Sequence, residues 1–278
     1  MTDQIQVVKF SGGREAFDPS RLHSSLQRSG ADESLIEYVI QQVQQQLFDG
    51  ITTKAIYKIA FGLLRAKASH RAARYKLKQA IFELGPSGFP FERFVAELLK
   101  HQGYRVEVGV TVQGKCVTHE VDVEAQKDDH HFMVECKFHS DQARKCDVKI
   151  PLYIKSRFED IRTHWVKQQD HAQRFHEGWL VTNTRFTTDA IEYGTCAGLN
   201  LISWDHPKSG SLKQRIDMSG LYPLTCLTTL TRRDKLNLLG REIVLAKDLL
   251  DPNTMTQAGI PNRKASAVRA ELNDLLAS

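Results

Sequence analysis

The chain has 278 residues, enough for two domains with separate cores, and its 41% hydrophobic and 26% charged composition is ordinary for a globular protein. Its formal charge of +5 is compatible with a polyanionic partner without requiring one. No apolar run reaches the roughly 18–20 residues of a membrane-spanning helix, and MTDQIQVVKF lacks the basic and apolar segments of a secretory signal. No membrane partner is expected, and the expected location is cytoplasmic. Cys116, Cys136, Cys146, Cys196 and Cys226 form no C-x-x-C pair, which argues against a structural zinc site and a disulfide framework.

In chain order, residues 5–10 read as a strand, Ser11-Gly12-Gly13 as a turn and 14–17 as the returning strand. Asp18-Pro19 starts a helix, with aspartate as N-cap and proline where its missing N–H costs nothing. Asp32 and Thr52 or Thr53 open further helices through Phe48 and Ala68, and another spans 72–84. A hairpin plus four amphipathic helices thus occupies 5–84. Gly85-Pro86-Ser87-Gly88 combines a helix stop with a joint and is the expected boundary. Phe91, Phe94, Val95, Leu98 and Leu99 then repeat at helical spacing up to Gly103. Strands follow at 104–112, 117–125, 132–138, 178–182 and 200–203, with helices near 153–176 and 187–196. This interleaving predicts a mixed sheet flanked by helices. From Leu227 onward the pattern is helical, interrupted at Asp251-Pro252-Asn253 and Gly259-Ile260-Pro261.

The chemistry concentrates in HEVDVEAQKDDHHFMVECKFH, residues 119–139. Val121, Val123 and Ala125 alternate with Glu120, Asp122 and Glu124, while Phe132, Val134, Cys136 and Phe138 alternate with Met133, Glu135 and Lys137. A turn at 127–130 pairs Val121 with Cys136, Val123 with Val134 and Ala125 with Phe132. The same register sets Asp122 across from Glu135, with Cβ atoms about 4.5–5.5 Å apart, and Glu120 across from Lys137. Facing carboxylates repel unless a cation lies between them, and oxygen ligands at that spacing suit Mg²⁺ or Mn²⁺. Lys137 points to the same face, where it can orient an attacking water or stabilise an oxyanion on phosphorus. The plainer alternative is a solvated hairpin face with a Glu120–Lys137 pair.

Asp122 followed by Glu135-Cys136-Lys137 resembles the PD-(D/E)xK nuclease signature in its Mrr-like restriction-endonuclease branch. GFPFERFVAELLKHQGYRVEV resembles the opening helix and strand of that branch, GWLVTNTRFTTDAIEYG its later strand and helix, and LNLISWD its last strand. The resemblance covers about residues 87–205. It implies that Asp122, Glu135 and the backbone carbonyl of Cys136 hold the metal, that Lys137 is catalytic, and that Glu92 is an additional acid. Val121 stands where the family commonly has proline, and Glu135 where many relatives have glutamine. Glu92 is equally explained as a first-turn acid favoured by the helix dipole. Arg144, Lys145, Lys149, Lys155, Arg157 and Arg162 either track a phosphate backbone or form a solvated face.

VVKFSGGREAFDPSRL, GITTKAIYKIAFGLL and AARYKLKQAIFEL, in that order, resemble the ATP-cone, a regulatory domain that binds ATP or dATP. The resemblance implies phosphate contact by Lys9, a pocket lined by Glu15, Asp18 and Arg21, nucleotide contact by Thr53 and Tyr57, and a further phosphate contact by Lys78. Phe10 stands where the family usually has a second basic residue. No G-x-x-x-x-G-K-[ST] occurs, so motor-like ATP hydrolysis is not implied. The tail TMTQAGIPNRKASAVRAELNDLL reads as helix, turn, helix, with Arg263, Lys264 and Arg269 after the turn. It is either a DNA-gripping element or a helical cap or dimerisation element.

The expected fold is mixed α/β: an ATP-cone over 1–85, a restriction-endonuclease-like domain over 86–206 and a helical region over 207–278. The resemblances imply an Mg²⁺- or Mn²⁺-dependent endonuclease acting on double-stranded DNA, regulated by an adenine nucleotide and expected to be a homo-oligomer. The alternatives are a nucleotide-responsive DNA-binding regulator without cleavage and a structure-selective nuclease of repair or recombination.

Overall fold

The computed structural model describes residues 5–9, 12–168 and 175–276. Phe10 and Ser11 of the expected first hairpin, and 169–174 of the expected helix near 153–176, lie outside these. The chain divides into two compact units: Met1–Ala80 with Pro223–Ser278, and Ile81–Tyr222.

The first unit begins with β1 (Gln6–Val8) and β2 (Arg14–Ala16), antiparallel with Val7 opposite Glu15. Asp18 caps α1 (Pro19–Gln27) by accepting from Ser20 N at 2.9 Å, and Asp32 caps α2 (Glu33–Gln44) by accepting from Leu35 N at 3.0 Å. The α2 helix stops short of Phe48 because Val43 is its last buried residue and Gln44, Gln45 and Gln46 offer nothing further to bury. A two-residue strand, β3 (Ile51–Thr52), adds to β1 in parallel, and Thr52 caps α3 (Thr53–Lys67). The helix expected over 72–84 is divided at Lys76 into α4 (Ser69–Tyr75) and α5 (Leu77–Phe82). Leu22, Leu26, Ile36, Val39, Val43, Ile56, Ala60 and Leu64 form the core that these helices share.

The second unit opens with α6 (Phe89–His101), which buries Phe91, Phe94, Val95, Leu98 and Leu99 as the periodicity requires. Then come β4 (Arg105–Gln113), β5 (Thr118–Lys127), β6 (His130–Lys137), β7 (Lys145–Cys146), α7 (Lys149–Trp165), β8 (Phe175–Thr182), β9 (Arg185–Phe186), α8 (Thr188–Cys196), β10 (Leu199–Ile202) and α9 (Leu212–Ser219). The main sheet has the order β10-β8-β6-β5-β4. Its β4-β5-β6 side is antiparallel and its β6-β8-β10 side parallel, so the sheet is mixed. On β6, His131, Phe132, Met133 and Val134 are all buried, although the sequence alternates there. A central strand in a sheet covered on both sides buries both its faces. Met133 joins Ile154, Phe158 and Ile161 of α7 and Leu180 of β8 in one apolar cluster. The pair β7-β9 was not expected; α9 falls within the region expected to be helical, and the capping box of Ser211 and Gln214 marks its start.

The chain then returns to the first unit through two 3₁₀ turns, 224–226 and 246–250, and α10 (Arg232–Gly240), α11 (Pro252–Gln257) and α12 (Asn262–Leu276). Asp251-Pro252-Asn253 opens α11 rather than interrupting a helix, since Asp251 accepts from Asn253 N. The Thr225 hydroxyl donates to Ala80 O at 2.6 Å, Lys76 Nζ to Thr225 O at 3.0 Å, and Arg74 Nη2 to Leu275 O at 3.2 Å. The buried Glu271 carboxylate accepts from the amides and hydroxyls of Thr228 and Thr229. Among the described residues no helix is long and apolar enough to cross a membrane.

Candidate functional site

The β5–β6 hairpin has the register that the apolar pattern dictates, with Val123 opposite Val134, Ala125 opposite Phe132 and Lys127 opposite His130. Asp128, with φ 52°, makes the turn in the left-handed region that aspartate tolerates better than most residues. The expected direct opposition of Asp122 and Glu135 is absent, because the pairing ends at Val123 and Val134. The β4–β5 pairing also skips Gly109 and Asp122, and Gly109 has φ 65°. Where the ladder lapses, Asp122 takes over: its Oδ2 accepts the Cys136 N–H at 2.7 Å. A side chain satisfies the backbone donor that the neighbouring strand leaves open.

Glu135 is held from outside the hairpin. Arg157 of α7 donates through Nη1 to Glu135 Oε2 at 2.6 Å and through Nη2 to the main-chain oxygen of Glu120. Arg157 therefore turns into the site instead of joining a basic outer face. Lys155 and Arg162 lie against Glu159, while Arg144, Lys145 and Lys149 are exposed. Glu120 and Lys137 form no ion pair.

Glu92, in the first turn of α6, belongs to the same electrostatic cluster. Burial and the charges of Asp122, Glu135 and Glu120 push its carboxyl up to about 7. A Cβ at position 88 would lie 2.9 Å from Glu92 Oε1, so the glycine there leaves room for that carboxyl. Burial also raises Asp122, opposed by the Cys136 N–H and by Arg157. Glu135 is raised by burial and by Asp122, against the pull of Arg157 and Lys137. Lys137 thus acts electrostatically on both carboxylates from the end of β6.

Asp122 Oδ1 and Glu135 Oε1 have no hydrogen-bond partner among the described residues. Two such carboxylate oxygens, on carboxyls raised by burial and, for Glu135, by the charge of Asp122, are hard donors of the kind a divalent cation takes. No group of three His, Cys, Asp or Glu side chains suited to a metal occurs among the described residues. A cation here would rely on two carboxylates and a main-chain oxygen, leaving room for water.

In the first unit a cavity of about 180 Å³ is lined by Glu15, Asp18, Arg21, Thr53 and Tyr57, and by Val7, Phe17, Ser25 and Tyr75. Lys9 reaches its edge through Glu15 at 2.6 Å; Lys78 is not among the lining residues. Tyr75, missed by sequence reasoning, stacks on Tyr57 with ring centroids 5.1 Å apart. Arg21 pairs with Glu15 at 2.6 Å and Asp18 at 3.5 Å. The hydrogen bond from Lys9 is the main influence lowering the pKa of Glu15, and the Ser20 hydroxyl does the same for Asp18.

Family models match the chain in series: an ATP cone domain over 5–79, a restriction endonuclease domain over 86–152 and an AF1548-like C-terminal domain over 222–276. The class is therefore a mixed α/β fusion of an ATP-cone with a restriction-endonuclease domain. A protein of Archaeoglobus fulgidus described as uncharacterized is 31% identical over 187 residues, spanning 66% of this chain and 99% of that protein. A crystal structure of a protein of unknown function, AF1548, matches with 29% identity and a TM-score of 0.57, covering 69% of this chain and 99% of that one. The chain belongs to the family of that archaeal protein.

Proposed function

We propose that this protein is a metal-dependent endonuclease of restriction type that hydrolyses double-stranded DNA under the control of ATP or dATP. The observation that carries the reading is the gathering of Asp122, Glu135 and Glu92, with Lys137 beside them, at the lapse in the β5–β6 ladder. Asp122, Glu135 and the carbonyl of Cys136 are the groups that would hold Mg²⁺ or Mn²⁺. Such an ion supplies positive charge at the phosphate and makes water a nucleophile near neutral pH. Lys137 orients the attacking water and stabilises charge developing on phosphorus oxygens. Glu92, raised to about 7, exchanges a proton with bound solvent near neutrality.

The cone pocket supports the regulatory half. Its aromatic and aliphatic lining suits a base, and Lys9 and Arg21 at Glu15 suit phosphates. The effector needs a differential affinity of only about 1–3 kcal/mol between two states to control cutting. The test is incubation of the full chain with modified and unmodified plasmid, with Mg²⁺, and with or without ATP or dATP. Cleavage that requires Mg²⁺ and changes with nucleotide is expected. Undiminished cutting in excess EDTA, or no cutting of any plasmid, would reject the reading.

A further inference from the structure

Arg157 lies 22 residues beyond Glu135, on a helix whose basic residues look interchangeable in the sequence, yet it makes a contact the others do not. One arm of its guanidinium reaches the carboxylate of Glu135 on β6, and the other the main-chain oxygen of Glu120 on β5. The side chains of this pair are 12% and 16% exposed, so it belongs to the interior rather than to the screened surface. Three residues further along α7, on the same helical face, Asp160 accepts from Cys116 N at 2.9 Å, Val117 N at 3.4 Å and His119 Nε2 at 2.8 Å. The helix therefore grips β5 at two points. Both lie before Val123, where the ladder of β5 with β6 begins.

We propose that Arg157 is a positioning residue that clamps β5 to β6 across this lapse and fixes the spacing of Asp122 and Glu135 for a divalent cation. The inference rests on the metal-dependent reading above. Beyond the Val123–Val134 pair the strands are linked by the Cys136 N–H to Asp122 Oδ2 bond, and the charge of that same carboxylate repels Glu135 and works to part them. The clamp takes Oε2 of Glu135 and leaves Oε1 for the cation. Arginine suits the task because its rigid fork satisfies two acceptors on different strands, whereas a lysine ammonium on a flexible stem does not hold both in place. The rival reading is that Arg157 substitutes for the cation and must be displaced by it. The two readings differ in sign.

Calorimetric titration of the full chain with Mn²⁺ tests the clamp, using Arg157→Gln, Arg157→Lys and, as the site control, Asp122→Ala. The clamp requires Arg157→Gln to bind Mn²⁺ about tenfold or more weakly than the wild type, the loss typical for a group that orients a metal ligand. Arg157→Lys should fall between the two, although it keeps the charge, with an unchanged circular dichroism spectrum. If Arg157→Gln does not fold, the lysine variant carries the test. Mn²⁺ binding as tight as or tighter than wild type in either folded Arg157 variant, with Asp122→Ala defective, overturns the clamp and leaves the site standing. Equal Mn²⁺ binding by wild type and Asp122→Ala, or none by the wild type, overturns both the site and the clamp.

Discussion

The two candidate sites both gather carboxylates and cations, with opposite electrostatic results. In the second unit Glu92, Asp122 and Glu135 are raised, burial being the first cause in each, and Arg157 and Lys137 partly oppose it only at Asp122 and Glu135. In the first unit Glu15 and Asp18 are lowered, Glu15 chiefly by Lys9 and Asp18 chiefly by Ser20. One site is short of positive charge, as the proposed cation site requires. The other already holds its cations against its own carboxylates, so a phosphate entering it as proposed would compete with a resident anion. The arrangement of charge, more than the residue types, distinguishes the proposed metal site from the proposed nucleotide site.

The largest effects should come from the site short of positive charge. Asp122→Ala, Glu135→Ala and Lys137→Ala should each reduce DNA cleavage by at least roughly 10²–10³-fold, the scale of removing a group that stabilises the transition state. Loss of either carboxylate relieves like-charge repulsion but leaves the Cys136 N–H or the Arg157 guanidinium without its partner, so thermal stability without metal should fall modestly while the fold is kept. Gel assays of plasmid nicking and linearisation read the activity, and melting curves the fold. Any of the three variants cutting at the wild-type rate would make the comparison meaningless.

Metal identity is next. An oxygen-only donor set should accept Mg²⁺ and Mn²⁺ for turnover, with Ca²⁺ supporting DNA binding but little cutting. Parallel binding and cleavage assays in each ion check this, and efficient cutting in Ca²⁺ would contradict it.

Glu92 sharpens the contrast through pH. Its ordinary value is 4.5 and its folded value about 7, so between these the folded state binds the extra proton. The stability it contributes is fully present below about 4.5 and is lost as pH rises through about 7. In excess chelator the melting temperature should fall by a few degrees from about pH 5 to about pH 8, and Glu92→Gln should flatten that slope. A metal-free melting temperature that rises over this range would mean that Glu92 does not share the cluster's repulsion.

The hairpin shows which features local pattern determines. Matching Val123 to Val134 and Ala125 to Phe132 leaves one register that keeps apolar residues together, and the structure has that register. The caps at Asp18, Asp32 and Thr52 are equally local. The lapse at Asp122 is not legible, because alternation treats every step of a strand alike while the lapse depends on Gly109 and on the Cys136 amide. Arg157 is not legible because only tertiary packing separates it from Lys155 and Arg162. The C-terminal helices join the first unit through hydrogen bonds such as Thr225 to Ala80, 145 residues apart, which no local periodicity encodes.

The smallest effects belong to the cone, where the contrast is most easily reversed. Arg21→Ala should weaken ATP or dATP binding about tenfold, as expected for losing a charge-assisted contact to phosphate, without removing metal-dependent cutting. Glu15→Gln is the finer probe. Glu15 now engages both Lys9 and Arg21 at 2.6 Å, and a phosphate must compete with it. Glutamine keeps the shape and can still hydrogen-bond a base or ribose, but does not hold two cations by charge. The exchange should therefore tighten nucleotide binding, by only about twofold to fivefold, because exposed ion pairs are weak. The gain should shrink as salt is added, since salt screens the same pairs. Calorimetry of the full chain at two ionic strengths reads both effects. Weaker binding in Glu15→Gln would show that the carboxylate serves the nucleotide directly, through base or ribose, and that the cations of this pocket are oriented by Glu15 rather than held back by it.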